Sequence, residues 1–126
     1  MTQTTTPLPA ADSPDGEANL LDFVIAALQA TGRIPAPRPR TGLPEHLNLD
    51  TIRGLHVAPQ GGGWGANVVF DAPAGLPNTL GTPDAHPCPT PLDGFLLGAV
   101  IVCEVLTGSR KLPFLVVGDR LICAAR

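Results

Sequence analysis

The chain is poor in charge, in aromatics and in uninterrupted apolar stretches: of 126 residues, 15% are charged and 4% aromatic, with no tyrosine and one tryptophan. Each shortage removes a class of function. Lysine occurs once, at Lys111, and eight basic residues face eleven acidic ones. Nucleic-acid binding draws much of its affinity from clustered cations that displace phosphate counterions, so a broad nucleic-acid face is not expected. Serine occurs only at Ser13 and Ser109, with no G-x-S-x-G elbow and no paired-carboxylate cluster, so no catalytic residue is assigned. Cysteine stands at 88, 103 and 123, an odd number without a C-x-x-C pair, which fits neither a disulfide framework nor a structural zinc site. The longest apolar stretch, Phe95–Cys103, has nine residues where a bilayer helix requires roughly twenty. No positive region followed by an apolar core opens the chain, and the expected setting is cytoplasmic.

Backbone punctuation, by contrast, is abundant. Fourteen glycines and fifteen prolines make up almost a quarter of the chain, which excludes a coiled coil, a simple helical bundle and any long helical array. The apolar share, 44%, still suffices for one small core. Asp12, Asp15 and Glu17 hold three of the acids, so from Ala18 onward eight acids balance eight bases. A neutral body sets up little repulsion between copies and does not oppose self-association. Seven arginines to one lysine, with abundant alanine, glycine and proline, point to a GC-rich bacterial or phage genome.

Residues 1–16 show no apolar periodicity and read as a disordered tail; 17–126 read as a single α+β domain. Leu20, Leu21, Val24, Ile25 and Leu28, widened by Phe23 and Ala27, recur at helical spacing and place a helix over 17–31. Ser13 or Asp15 can cap it, and Gly32 ends it. Alternate prolines make 34–44 an extended linker. A hairpin follows, with Leu55 and Val57 on one face and His56 on the other. Its return strand carries Trp64, Ala66, Val68 and Phe70, and 59–63 form a flexible glycine loop. Five prolines between 72 and 89 forbid a helix or a central strand. The clearest element is the second helix, opened by Thr90-Pro91 with Asp93 at the third helical position and closed by Gly108. Only Asp93 and Glu104 are charged in it, with Arg110, Lys111 or Arg120 as counter-charges for Glu104. Gly94 and Gly98 give this helix an edge that another backbone can approach closely. Phe114–Val117 and Arg120–Ala124, split by Gly118-Asp119, form a second hairpin with a type II′ turn. The expected fold is thus two-layer α+β, a four-stranded antiparallel sheet of two hairpins with two apolar helices, in the order α-β-β-α-β-β.

Three candidate sites emerge. Asp84, His86 and Cys88 alternate along an extended segment, so their side chains can face one point and hold zinc, with His56 or Asp71 supplying a fourth ligand. Cys88 also precedes a helix N-terminus, where the dipole lowers a thiol's pKa and His86 could act as base. Against both stands the ordinary occurrence of stray polar residues in proline-rich loops. Gly62, Gly63 and Trp64 form the second candidate, a hairpin tip offering an aromatic contact to a partner; the competing reading makes Trp64 a core anchor. Arg38 and Arg40 on the proline strap, with Arg53, are the third, a small arginine patch for an acidic partner or for nucleic acid. The reading that absorbs most of these features is a protein-binding regulatory or adaptor domain. It would be homo-oligomeric, carry no cofactor, and act through an apolar surface and the glycine–tryptophan loop using Trp64, Gly62, Gly63, Arg38 and Arg40. The alternatives are a zinc or cysteine site at Asp84, His86 and Cys88, and nucleic-acid binding by the arginines.

Overall fold

A computed structural model describes residues 3–7, 18–32, 47, 50–81, 86–118 and 120–124. Seven strands and two helices follow in the order β1 (Gln3–Pro7), β2 (Ala18–Asn19), α1 (Leu21–Ala30), β3 (Ile52–Gln60), β4 (Gly63–Phe70), β5 (Thr79–Gly81), α2 (Pro91–Thr107), β6 (Phe114–Val117) and β7 (Arg120–Ala124). The mixed α+β class and the antiparallel pairing follow the sequence expectation. The single four-stranded sheet made from both hairpins does not form. Each hairpin instead seeds its own sheet, β2-β3-β4-β5 and β1-β7-β6. Short flanking segments occupy the edges along which the hairpins would have joined. Asn19 pairs with His56 on β3, β5 pairs with β4, and β1 pairs with β7 from Gln3↔Ala124 to Pro7↔Arg120. An unpaired strand edge leaves a row of amide and carbonyl groups unsatisfied, and these segments satisfy it locally. Residues 3–7, expected within an unstructured tail, are therefore one edge of the second sheet.

Helix α2 begins and ends where its residues require. Thr90 Oγ1 accepts the Asp93 amide at 3.1 Å, and Gly108 adopts φ 73°, donating its amide to the Glu104 carbonyl at 2.9 Å. The second half of the expected capping box is different, because the Thr90 hydroxyl donates to Asp93 Oδ2 at 3.0 Å. Helix α1 starts four residues later than the apolar spacing suggests. The N-cap is Leu20, which makes no side-chain cap bond; the preceding Asn19 instead accepts at Oδ1 the amides of Leu21, at 3.1 Å, and Leu55, at 3.2 Å, and so ties the helix start to β3. Ser13 and Asp15, the expected caps, lie outside the described residues. Gly32 closes the helix at φ 73°, as expected.

One core joins both helices and both sheets. Leu55 and Val57 of β3, Ala66, Val68 and Phe70 of β4, Val24 and Leu28 of α1, and Ala99 and Val102 of α2 are all buried, together with Phe114, Leu121 and Cys123 of the second sheet. The rings of Phe23, Phe95 and Phe114 run in sequence through it, with centroids 6.1 and 6.3 Å apart. Phe95 thereby connects α1 to β6 through aromatic contacts. Gly94 and Gly98 of α2 face inward. A Cβ at Gly94 would lie 3.1 Å from Val57 Cγ1, and one at Gly98 would collide with Leu55 Cδ1. The close-approach edge is used within the chain, against β3 and β4, and so is not itself a reason for a second subunit.

Candidate functional site

The Gly61–Trp64 region is held more tightly than a flexible loop. Gln60 pairs with Gly63, so only Gly61 and Gly62 turn the chain, at φ 58° and 89°, the two positive values of a type I′ hairpin. Trp64 is half-buried against the core, and its backbone exchanges two hydrogen bonds with Cys88, 2.9 Å from the Trp64 amide and 2.7 Å to its carbonyl. Continuing the β4–β5 register would place position 84 opposite Trp64; Cys88 stands there, four residues on. Gly63 is what allows this approach, because a Cβ there would sit 2.6 Å from the Cys88 carbonyl and 3.0 Å from Pro87 Cβ. Gly63 and Trp64 are therefore a seat for the end of the proline-rich segment, a role that no local sequence signal marks. Gly62 alone projects into open space.

The Asp84, His86 and Cys88 set is only partly in view, since Asp84 lies outside the described residues. His86 is exposed while Cys88 is 6% exposed. Burial pushes the Cys88 thiol above its ordinary value, and the Asp93 carboxylate pushes it the same way. The expectation of a thiol acidified by the following helix is thus reversed: desolvation first, then the Asp93 charge, raise it, and the sulfur stays protonated near neutrality. The proposed fourth ligands are elsewhere. Asp71 meets Arg53 at 3.4 Å, and His56 pairs with Asn67, three residues or ~10 Å along β4 from Trp64. Among the described residues no three His, Cys, Asp or Glu side chains converge on a point. Cys103 and Cys123 are buried and not disulfide-bonded; the Cys103 thiol donates to the Lys111 carbonyl at 3.2 Å.

Arg38 and Arg40 lie outside the described residues. Arg53 is the extra residue of a bulge between the Ile52↔Phe70 and Gly54↔Val69 pairs, and its guanidinium donates to the carbonyls of Asp50 and Ile52 and to Asp71. Its side chain thus serves the closure of the hairpin's open end. Glu104, 7% exposed, is met by Arg110 Nε at 3.6 Å, one of the three counter-charges its sequence surroundings offer.

The strongest surface feature lies on β6, outside the sequence candidates. Leu115 and Val117 are 67% and 58% exposed, the two most exposed large apolar side chains among the described residues. The ladder aligns Leu115 with Ile122 and Val117 with Arg120, and directly opposed residues share a face. One side of the hairpin therefore presents Leu115, Val117, Ile122 and Arg120, while Phe114, Leu121 and Cys123 face the core. Among the described residues, strand β6 is also the edge of its sheet, and its four residues include no proline, glycine or charge. Its shortness is the one edge-blunting device it carries. The sequence shows only a short apolar run here; its edge position comes from the pairing of β1 with β7. No helix among the described residues is long and apolar enough to cross a membrane. Comparison with protein-family models, with curated proteins and with solved structures finds no match to this chain.

Proposed function

We propose that this chain is a protein-binding domain, a regulator or adaptor, whose contact surface is the outer face of β6 and its edge, unpaired among the described residues. The observation that carries the reading is the exposure of Leu115 and Val117 on a strand that is the edge of its sheet among the described residues. Exposed apolar side chains beside unpaired backbone groups suit strand addition, in which main-chain hydrogen bonds supply affinity and alternate side chains supply specificity. Relative to the sequence expectation, the surface moves from the glycine–tryptophan loop, where Gly63 and Trp64 are engaged by Pro87 and Cys88, to the second hairpin.

The test is site-specific photo-crosslinking in the producing cell. A benzophenone side chain replaces Leu115 in one variant and the exposed Gln29 of α1 in another. A discrete adduct from position 115 that is absent from position 29 supports the reading. Equal or absent crosslinking at the two positions overturns it.

A further inference from the structure

Charge around β6 narrows what can dock there. The 110–120 stretch carries Arg110, Lys111 and Arg120 against one carboxylate, Asp119, in a chain whose total is −3. Lys111 is exposed three residues before the strand, and Arg120, on β7, is exposed beside Val117 on the outer face. The apolar pair Leu115 and Val117 is thus bracketed by a cation at either end. Two occupants are possible for such an edge, a second copy of this chain or a segment of a different protein, and charge separates them. A second copy pairing antiparallel about a two-fold axis would set the Lys111 end of each strand beside the Arg120 end of the other. Like charges placed across an interface oppose association. An extended segment with apolar residues at alternate positions and carboxylates at both ends does not meet this objection.

We infer that β6 takes an acidic-ended, alternately apolar segment of another protein as an added strand, with Lys111 and Arg120 reading the carboxylates at its ends. This rests on the protein-binding reading of β6 and goes further by naming the partner's chemistry.

Three nine-residue peptides test it. All alternate valine and threonine in the middle, and they end in pairs of glutamate, of glutamine or of lysine. Fluorescence anisotropy is measured on the full chain, on Leu115→Lys/Val117→Lys, and on Lys111→Glu/Arg120→Glu, with native mass spectrometry of each protein alone. The glutamate peptide is expected to bind at least tenfold tighter than the glutamine peptide at low salt, with the gap closing as salt rises. The preference should pass to the lysine peptide in Lys111→Glu/Arg120→Glu, and binding should vanish in Leu115→Lys/Val117→Lys. Equal binding of all three peptides keeps β6 as a binding edge and overturns the charge rule. A dimer that Leu115→Lys/Val117→Lys abolishes, without peptide binding, makes the second copy the occupant and overturns the inference. Neither peptide binding nor a dimer overturns both it and the reading beneath it.

Discussion

Leu55 of β3 occupies the space that any side chain at Gly98 of α2 would need, with Ala66 of β4 closing the other side at 3.1 Å. The helix can lie this close to the sheet only because the position carries no Cβ. Alanine favours helix by about 1 kcal/mol over glycine, yet forcing atoms into a filled core costs roughly 1–3 kcal/mol. With Leu55 fully buried, the second effect wins. Gly98→Ala should destabilise the fold by about 1 kcal/mol or more in urea unfolding. Gly94→Ala should come out close to neutral, since its nearest neighbour, Val57 Cγ1, is 3.1 Å away and the next, the Gly65 carbonyl oxygen, is 3.6 Å. Equal losses at the two sites would mean that α2 does not sit on β3 as described.

Asn19 accepts two amides, one 2 and the other 36 residues along the chain, so its removal should be felt by both α1 and β3. Each amide left without its partner costs on the order of 1 kcal/mol. Asn19→Ala is expected to lower stability by about 1–3 kcal/mol. Asn19→Asp keeps the acceptor, adds a negative charge at the start of α1, and should lose clearly less. Amide hydrogen exchange gives a second readout, with faster exchange at both Leu21 and Leu55 in the alanine variant.

Gly62 separates backbone strain from packing. Its φ of 89° disfavours any side chain, and no atom lies within 4 Å of where one would project. Gly62→Ala should cost roughly 1–2 kcal/mol from conformation alone, and Gly62→Asn less, because asparagine tolerates this region. Neither substitution touches β6, so binding through that edge should be unchanged. A loss of partner binding with Gly62→Asn at intact stability would return the contact surface to the hairpin tip.

The thiols make stability pH-dependent on the alkaline side. Burial raises Cys88 and Cys123 above 9.0, their ordinary value, with Asp93 adding to the effect at Cys88. The folded chain therefore holds these protons at pH values where the unfolded chain has released them. Their contribution is complete below about pH 8 and declines as pH rises through 9 toward the raised folded values. Unfolding free energy measured from pH 7 to 10.5 should fall on the alkaline side. The Cys88→Ser/Cys123→Ser variant should show a flatter profile over that range. Reaction with a thiol reagent at pH 7 should be slow in native protein and fast in denaturant for all three cysteines. A rapidly labelled Cys88 in the native state would restore the nucleophile reading.

What could be read from the residues was what neighbours decide. Thr90, Pro91 and Gly108 set the ends of α2 because capping is satisfied within one turn. The alternation of Leu55, His56 and Val57 sets the faces of β3, and Glu104 in an apolar helix called for the counter-charge that Arg110 brings. Helix α1 was legible in its apolar face and in Gly32, less so at its start, which Asn19 ties to a distant strand.

Other relationships were visible only once the chain had folded. The seating of Cys88 on Trp64, the inward use of Gly94 and Gly98, and the separation of the two hairpins all join residues far apart in sequence. Such contacts leave no periodic trace, because an edge is closed by whichever segment arrives there. Composition and local pattern thus determined the α+β class, the helices and the strand faces. Which edges were closed, and that β6 with Leu115 and Val117 lies at the edge among the described residues, was decided by tertiary structure, because backbone pairing between distant segments depends on where the whole chain brings them.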